Sequence, residues 1–151
     1  MKLQKATEFA LYAVLELAAD PLRQRTAVEI ADKYGISAHH LAKVLRSLGR
    51  AGLVDAARGA GGGYRFVGNA KRLTLMDVIG LFEDIGAAPG AAAPPTAGEE
   101  IAAGLRFIVA ELDAQMEATL RSISLSTMLK LVARRPWTPS GDALSRLSSR
   151  A

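Results

Sequence analysis

Apolar residues recur at helical spacing through most of the chain, and the interruptions fall where helix caps and breakers stand. Over residues 3–19, Ala6, Phe9, Ala13 and Leu17 share one face of a predicted first helix that Pro21 ends. Thr26 with Glu29 three residues later carries the capping-box signature, and Val28, Ile30 and Ala31 give the short helix behind it an apolar side until Gly35. Ser37 is the next N-cap, for a third helix running to Arg50 and closed by Gly52. Two short helices joined across a glycine form a helix-turn-helix pattern.

Two short strand-like runs follow, 53–57 and 64–67, joined by Arg58, Gly59, Ala60, Gly61, Gly62 and Gly63. A hairpin directly after a helix-turn-helix reads as a wing. Thr74 caps a fourth helix from Leu75 to Asp84, with Leu75, Val78, Ile79 and Phe82 facing inward and Asp77, Glu83 and Asp84 on its polar side. Residues 86–98 hold only Gly, Ala, Pro and Thr, so 85–98 is expected to be a flexible loop. The long helix begins near Glu99, with Ile101, Leu105, Ile108, Leu112, Met116, Leu120 and Ile123 at steps of three and four. At about 30 Å for 20 residues it exceeds what a small winged domain needs, so its apolar face predicts a partner helix. A short helix over 126–134 and a fraying tail over 135–151 complete the chain, which shows no internal repeat.

The expected fold is therefore mainly α with a small β-hairpin wing: a winged helix-turn-helix DNA-binding domain over 1–84, and a dimerisation helix with a short C-terminal helix over 99–134.

The third helix is the most informative element. On a wheel with His39 at zero, Lys43, Arg46 and Arg50 fall at about 40°, 340° and 20°, whereas Leu41, Val44, Leu45 and Leu48 centre near 180°. One face packs and the other is offered outward, which is what a recognition helix in a major groove requires. Ser37, His39, His40 and Lys43 hold the positions that reach base edges, and Arg46 and Arg50 suit phosphates. In the wing, Arg58 is placed for the minor groove or for phosphate. Gly59, Gly61 and Gly62 let the backbone come close, and Tyr64 and Arg65 extend the contact.

Charge is divided in the same sense. Residues 1–72 carry twelve Lys and Arg against six Asp and Glu, and the remainder seven against nine. The absence of cysteine excludes disulfides, thiol catalysis and cysteine-ligated metal centres. His39 and His40 are the only histidines, and adjacent helical positions diverge by about 100°, so the pair forms no metal site. A nucleotide-binding loop fails because Tyr64 stands where the last glycine of G-x-G-x-x-G belongs, and no G-K-[ST] is present. No triad or paired carboxylates stand out, so no enzyme activity and no cofactor are expected. The apolar run 9–19 is broken by Glu16, against a secretion signal, and no run approaches a membrane span, so the expected compartment is the cytoplasm.

The order of MKLQKATEFALYAVLELA, TAVEIADKYGISAHHLAKVLRSLGRAGLV, RGAGGGYRF and LTLMDVIGLFE resembles the Rrf2 family of bacterial regulators, closely over 1–84 and more loosely through ISLSTML at 123–129. The resemblance implies a homodimeric repressor in which the long helices cross through Ile101, Leu105, Ile108, Leu112, Met116 and Leu120, and a palindromic operator of double-stranded DNA. It places DNA contact on Ser37, His39, His40 and Lys43, and on Arg58, Gly59 and the glycines after it. Family members that sense iron or nitric oxide carry three cysteines in the loop that here reads GAAPGAAAPPTAG, and Glu8 lies near a carboxylate ligand of some relatives. Without cysteines the expectation is a member lacking the iron-sulfur sensor, controlled by a regulatory protein partner or a small-molecule effector. The alternative is a winged-helix interaction module, which would favour exposed aromatics over the basic stripe.

Overall fold

The computed structural model describes residues 2–59, 61–85 and 98–134. The expected loop at 85–98, apart from its ends, and the expected tail at 135–151 lie outside these residues. The elements in chain order are α1 (Lys5–Ala19), α2 (Ala27–Tyr34), α3 (Ala38–Arg50), β1 (Val54–Ala57), β2 (Gly63–Phe66), α4 (Leu75–Ile79), α5 (Glu100–Ser122) and α6 (Leu125–Arg134). Helices dominate and one antiparallel hairpin forms the wing, with Val54 opposite Phe66 and Ala57 opposite Gly63.

Local chemistry sets most boundaries. The Thr26 hydroxyl accepts from the Glu29 amide while the Glu29 carboxylate accepts from the Thr26 amide, completing the predicted box. Gly35 ends α2 at φ 64°, a left-handed conformation that glycine adopts without a Cβ penalty. Thr74 opens α4 with a second reciprocal box, in which Asp77 plays the part that Glu29 plays in α2. Ser37 occupies the N-cap position of α3, but no side-chain bond caps that helix.

The core gathers Ala10, Ala13, Val14 and Leu17 of α1, Ile30 and Ala31 of α2, and Leu41, Val44, Leu45 and Leu48 of α3, with Val54, Phe66, Val78 and Leu125 around them. Of the expected inward face of α1, Ala13 and Leu17 are fully buried, and the departure is confined to its first turns. Ala6 is exposed and Phe9 half-buried, while Thr7 and Ala10 are fully buried. Val28 is likewise exposed, so α2 packs through buried Ile30 and Ala31 with half-buried Ala27 beside them. α4 is shorter than expected: it ends at Gly80, and the chain turns through Phe82 and Glu83, whose amides both bond the Ile79 carbonyl.

α6 is held to the winged domain by backbone. The Leu75 amide bonds the Ile123 carbonyl, Leu125 bonds Leu73 and Ser126 bonds Ala70, which seats Leu125 fully in the core. By contrast α5 buries none of its residues. None of the described helices is long and apolar enough to cross a membrane.

Candidate nucleic-acid interface

The split predicted for α3 is present. Leu41, Val44, Leu45 and Leu48 are buried, and His39, His40, Lys43, Arg46 and Arg50 are all exposed. The physical cause is packing: α3 presses one face onto α1 and α2, and residues a half-turn away can only point outward. Lys43, Arg46, Ser47 and Arg50 line a single open cleft, and the His39 and His40 rings stand 6.1 Å apart at 52°. His40 and Lys43 also border an apolar groove shared with Lys5, Ala6 and Phe9 of α1.

At the wing, Arg58 and Gly59 are exposed, and Gly59 and Gly61 turn with φ of 113° and 80°. Gly62 and Gly63 have a reason internal to the fold. A Cβ on Gly62 would lie 2.6 Å from the Ala57 carbonyl oxygen, and one on Gly63 would lie 2.7 Å from that of Arg25. Tyr64 and Arg65 point to opposite faces of the hairpin, as neighbours in a strand must. Tyr64 packs on the core, whereas Arg65 is exposed and pairs with Asp55 at 3.2 Å.

Two residues that carry no binding signature in the sequence, Arg25 and Glu16, connect to the wing from behind this surface. Arg25 exchanges backbone hydrogen bonds with Tyr64, so the segment ahead of α2 forms a third strand position beside β2. Its guanidinium reaches Glu16, 3.4 Å away, although its Nε is buried without a hydrogen-bond partner. Glu16 itself is 8% exposed, and Lys33 and Tyr34 of α2 both donate to it. Burial alone would raise the Glu16 carboxyl; the hydrogen bonds from Lys33 and Tyr34, with the Lys33 and Arg25 charges, outweigh it and hold the group below its ordinary 4.5. No spacing rule marks Glu16, because all its partners come from other elements.

On α5, Ile101, Leu105, Ile108 and Leu112 of the predicted partner face are exposed, while Met116 and Leu120 are half-buried within the chain. Phe107 and Val109 are exposed as well.

A helix-turn-helix with a hairpin wing and an outward basic stripe is the architecture of a DNA-binding transcriptional regulator. A sequence model of the Rrf2 family, described as iron-dependent transcriptional regulators, matches residues 3–131, and the chain belongs to that family. It is 53% identical over 132 residues to the HTH-type transcriptional regulator BadM of Rhodopseudomonas palustris, covering 87% of this chain and 83% of that protein. It is 40% identical over 84 residues to protein aau3 of Rhizobium meliloti, covering 56% and 54% of the two chains. Among solved structures, T. potens IscR superposes with a TM-score of 0.73 at 22% identity, covering 95% of this chain and 96% of that one. CymR, the global cysteine regulator of B. subtilis, gives 0.69 at 25% identity, with 87% and 98% covered.

The family description invokes iron, and the donor set here does not fit a cysteine-ligated centre. The sequence has no cysteine, and among the described residues no three His, Asp or Glu side chains are grouped to hold a metal ion.

Proposed function

We propose that the protein is a homodimeric repressor that reads a palindromic operator with two copies of α3, each flanked by its wing. The observation that carries this reading is the division of α3 into a buried apolar side and an exposed side of His39, Lys43, Arg46 and Arg50. In each half-site Ser37, His39, His40 and Lys43 face base edges, Arg46 faces phosphate, and Arg58 with Gly59, Gly61 and Gly62 follows the adjacent backbone or minor groove. Arg65 joins when it exchanges Asp55 for a phosphate; Tyr64 contributes by packing the wing in place. Two α5 helices cross through Ile101, Leu105, Ile108 and Leu112, which removes from water the apolar face that a single chain leaves exposed.

The signal reaches this protein through a partner protein or a small-molecule effector, since a cysteine-ligated cluster has no ligands in it. Selection of bound sequences from random duplex DNA supplies the operator. On it, the logarithm of the binding constant should fall linearly with the logarithm of salt, at about 0.9 per neutralised phosphate. A selection that enriches no sequence, or enriches one without two-fold symmetry, contradicts the reading.

A further inference from the structure

Glu16 lies on the inner side of α1, where a carboxylate without partners would be strongly destabilising. Its partners come from two directions. From the last turn of α2, Lys33 donates to both carboxylate oxygens at 2.9 and 2.7 Å and the Tyr34 hydroxyl donates at 2.7 Å. From the segment ahead of α2, the Arg25 guanidinium approaches to 3.4 Å.

Each partner leads to a different half of the DNA-binding surface. Arg25 is bonded through its backbone to Tyr64 of β2, at 2.9 and 2.8 Å, and the close seat of Gly63 under the Arg25 carbonyl leaves that pairing no slack. Tyr34 is followed directly by Gly35 and the turn into α3. The hairpin itself is two strands of four residues, too short to hold an orientation alone, so its aim depends on what its edge is fastened to. The apolar core already holds α1, α2 and α3 together. What a buried carboxylate adds is direction: its hydrogen bonds fix Lys33 and Tyr34 in angle as well as in distance, and its charge draws the Arg25 guanidinium to 3.4 Å as an ion pair.

We propose that Glu16 is a positioning residue for DNA binding: by gripping Arg25 and the end of α2 on one carboxylate, it sets the wing against the recognition helix so that Arg58 and the α3 stripe engage the same duplex together. This inference rests on the DNA-binding reading above. Without the carboxylate the wing keeps its hydrogen bonds to Arg25, but that strand is released from α1, so the wing's hold on DNA weakens while that of the recognition helix remains.

The test is a set of cycles on the full chain, read as affinity for a fluorescent duplex of the selected operator. Glu16→Gln is expected to weaken binding about five- to tenfold in the wild-type and Lys43→Ala backgrounds, and less than twofold in the Arg58→Ala background. An equal loss in all three backgrounds overturns the proposal, since a general loss of structure would act alike on wing and helix. Unchanged affinity in Glu16→Gln also overturns it. Should that variant fail to fold, Arg25→Met removes the wing-side contact of the carboxylate while Lys33 and Tyr34 still pair it, and the same pattern of coupling to Arg58 is expected. If neither Lys43→Ala nor Arg58→Ala weakens binding, the DNA-binding surface is misplaced and the role of Glu16 falls with it. If both weaken it and the cycle is additive, the role of Glu16 alone falls.

Discussion

Arg25 and Tyr64 exchange two backbone hydrogen bonds, and Gly63, beside Tyr64, fits under the Arg25 carbonyl only because it lacks a Cβ. Backbone on both sides leaves nothing flexible to yield. Gly63→Ala should therefore lower stability by about 1–3 kcal/mol, as overpacking against rigid atoms does. Gly49 is the internal contrast, since an added Cβ there meets only the Val54 oxygen at an ordinary 3.7 Å. Gly49→Ala in α3 should raise stability by about 0.5–1 kcal/mol. Urea unfolding of the two variants should move in opposite directions, and a shared direction would refute the packing described for Gly63.

The Glu16 cluster should be visible in pH titrations. Burial, the hydrogen bond to Glu16 and the charge of Glu16 push the Tyr34 hydroxyl up to about 12. A pKa raised on folding gives stability that is complete below the ordinary value near 10 and is lost as pH rises through about 12. Glu16 is the opposite case. Its depressed pKa gives stability present above 4.5 and lost as pH falls through the folded-state value. The Tyr34 hydroxyl should ionise near pH 12 by ultraviolet absorbance, and in Glu16→Gln it should return towards 10. A wild-type chain in which Tyr34 ionises near 10 would contradict the hydrogen bond.

What the sequence made legible follows from how local each signal is. Thr26 with Glu29, Gly35, and Thr74 act within one turn, and the alternation of His39, Lys43 and Arg46 with Leu41, Val44 and Leu45 repeats within one helix, so both could be read from spacing. Arg25 beside Tyr64 and Glu16 beside Lys33 are pairings across elements, for which the chain carries no periodic mark. Glu16 stood out only as a charge interrupting an apolar run. Its burial depends on cations supplied by α2 and by the segment before it. At the start of α1 the exposure of Ala6 and the burial of Thr7 have a related cause, because alanine and threonine are too small for periodicity to fix which of them faces inward.

Leu105 is 63% exposed and Ile108 55% exposed on α5, so a charge at either position costs a single chain little. In the proposed dimer the same charge would be buried without a partner. Leu105→Glu should leave the unfolding of the winged domain nearly unchanged while sedimentation shows a shift from dimer to monomer. A variant that remains dimeric at micromolar concentration would move the interface away from this face.

The central claim is that the α3 stripe and the wing tip grip DNA, and replacing Lys43, Arg46 and Arg58 together by alanine tests it most directly. All three side chains are exposed, so the variant should fold as the wild type does. Operator affinity measured by fluorescence anisotropy should fall by about 1–3 kcal/mol for each of the three that reads a base edge and by less for each that meets only phosphate. The salt dependence should become shallower by about 0.9 for each phosphate that is no longer neutralised. A folded triple variant that binds the operator with wild-type affinity and wild-type salt dependence would contradict the account.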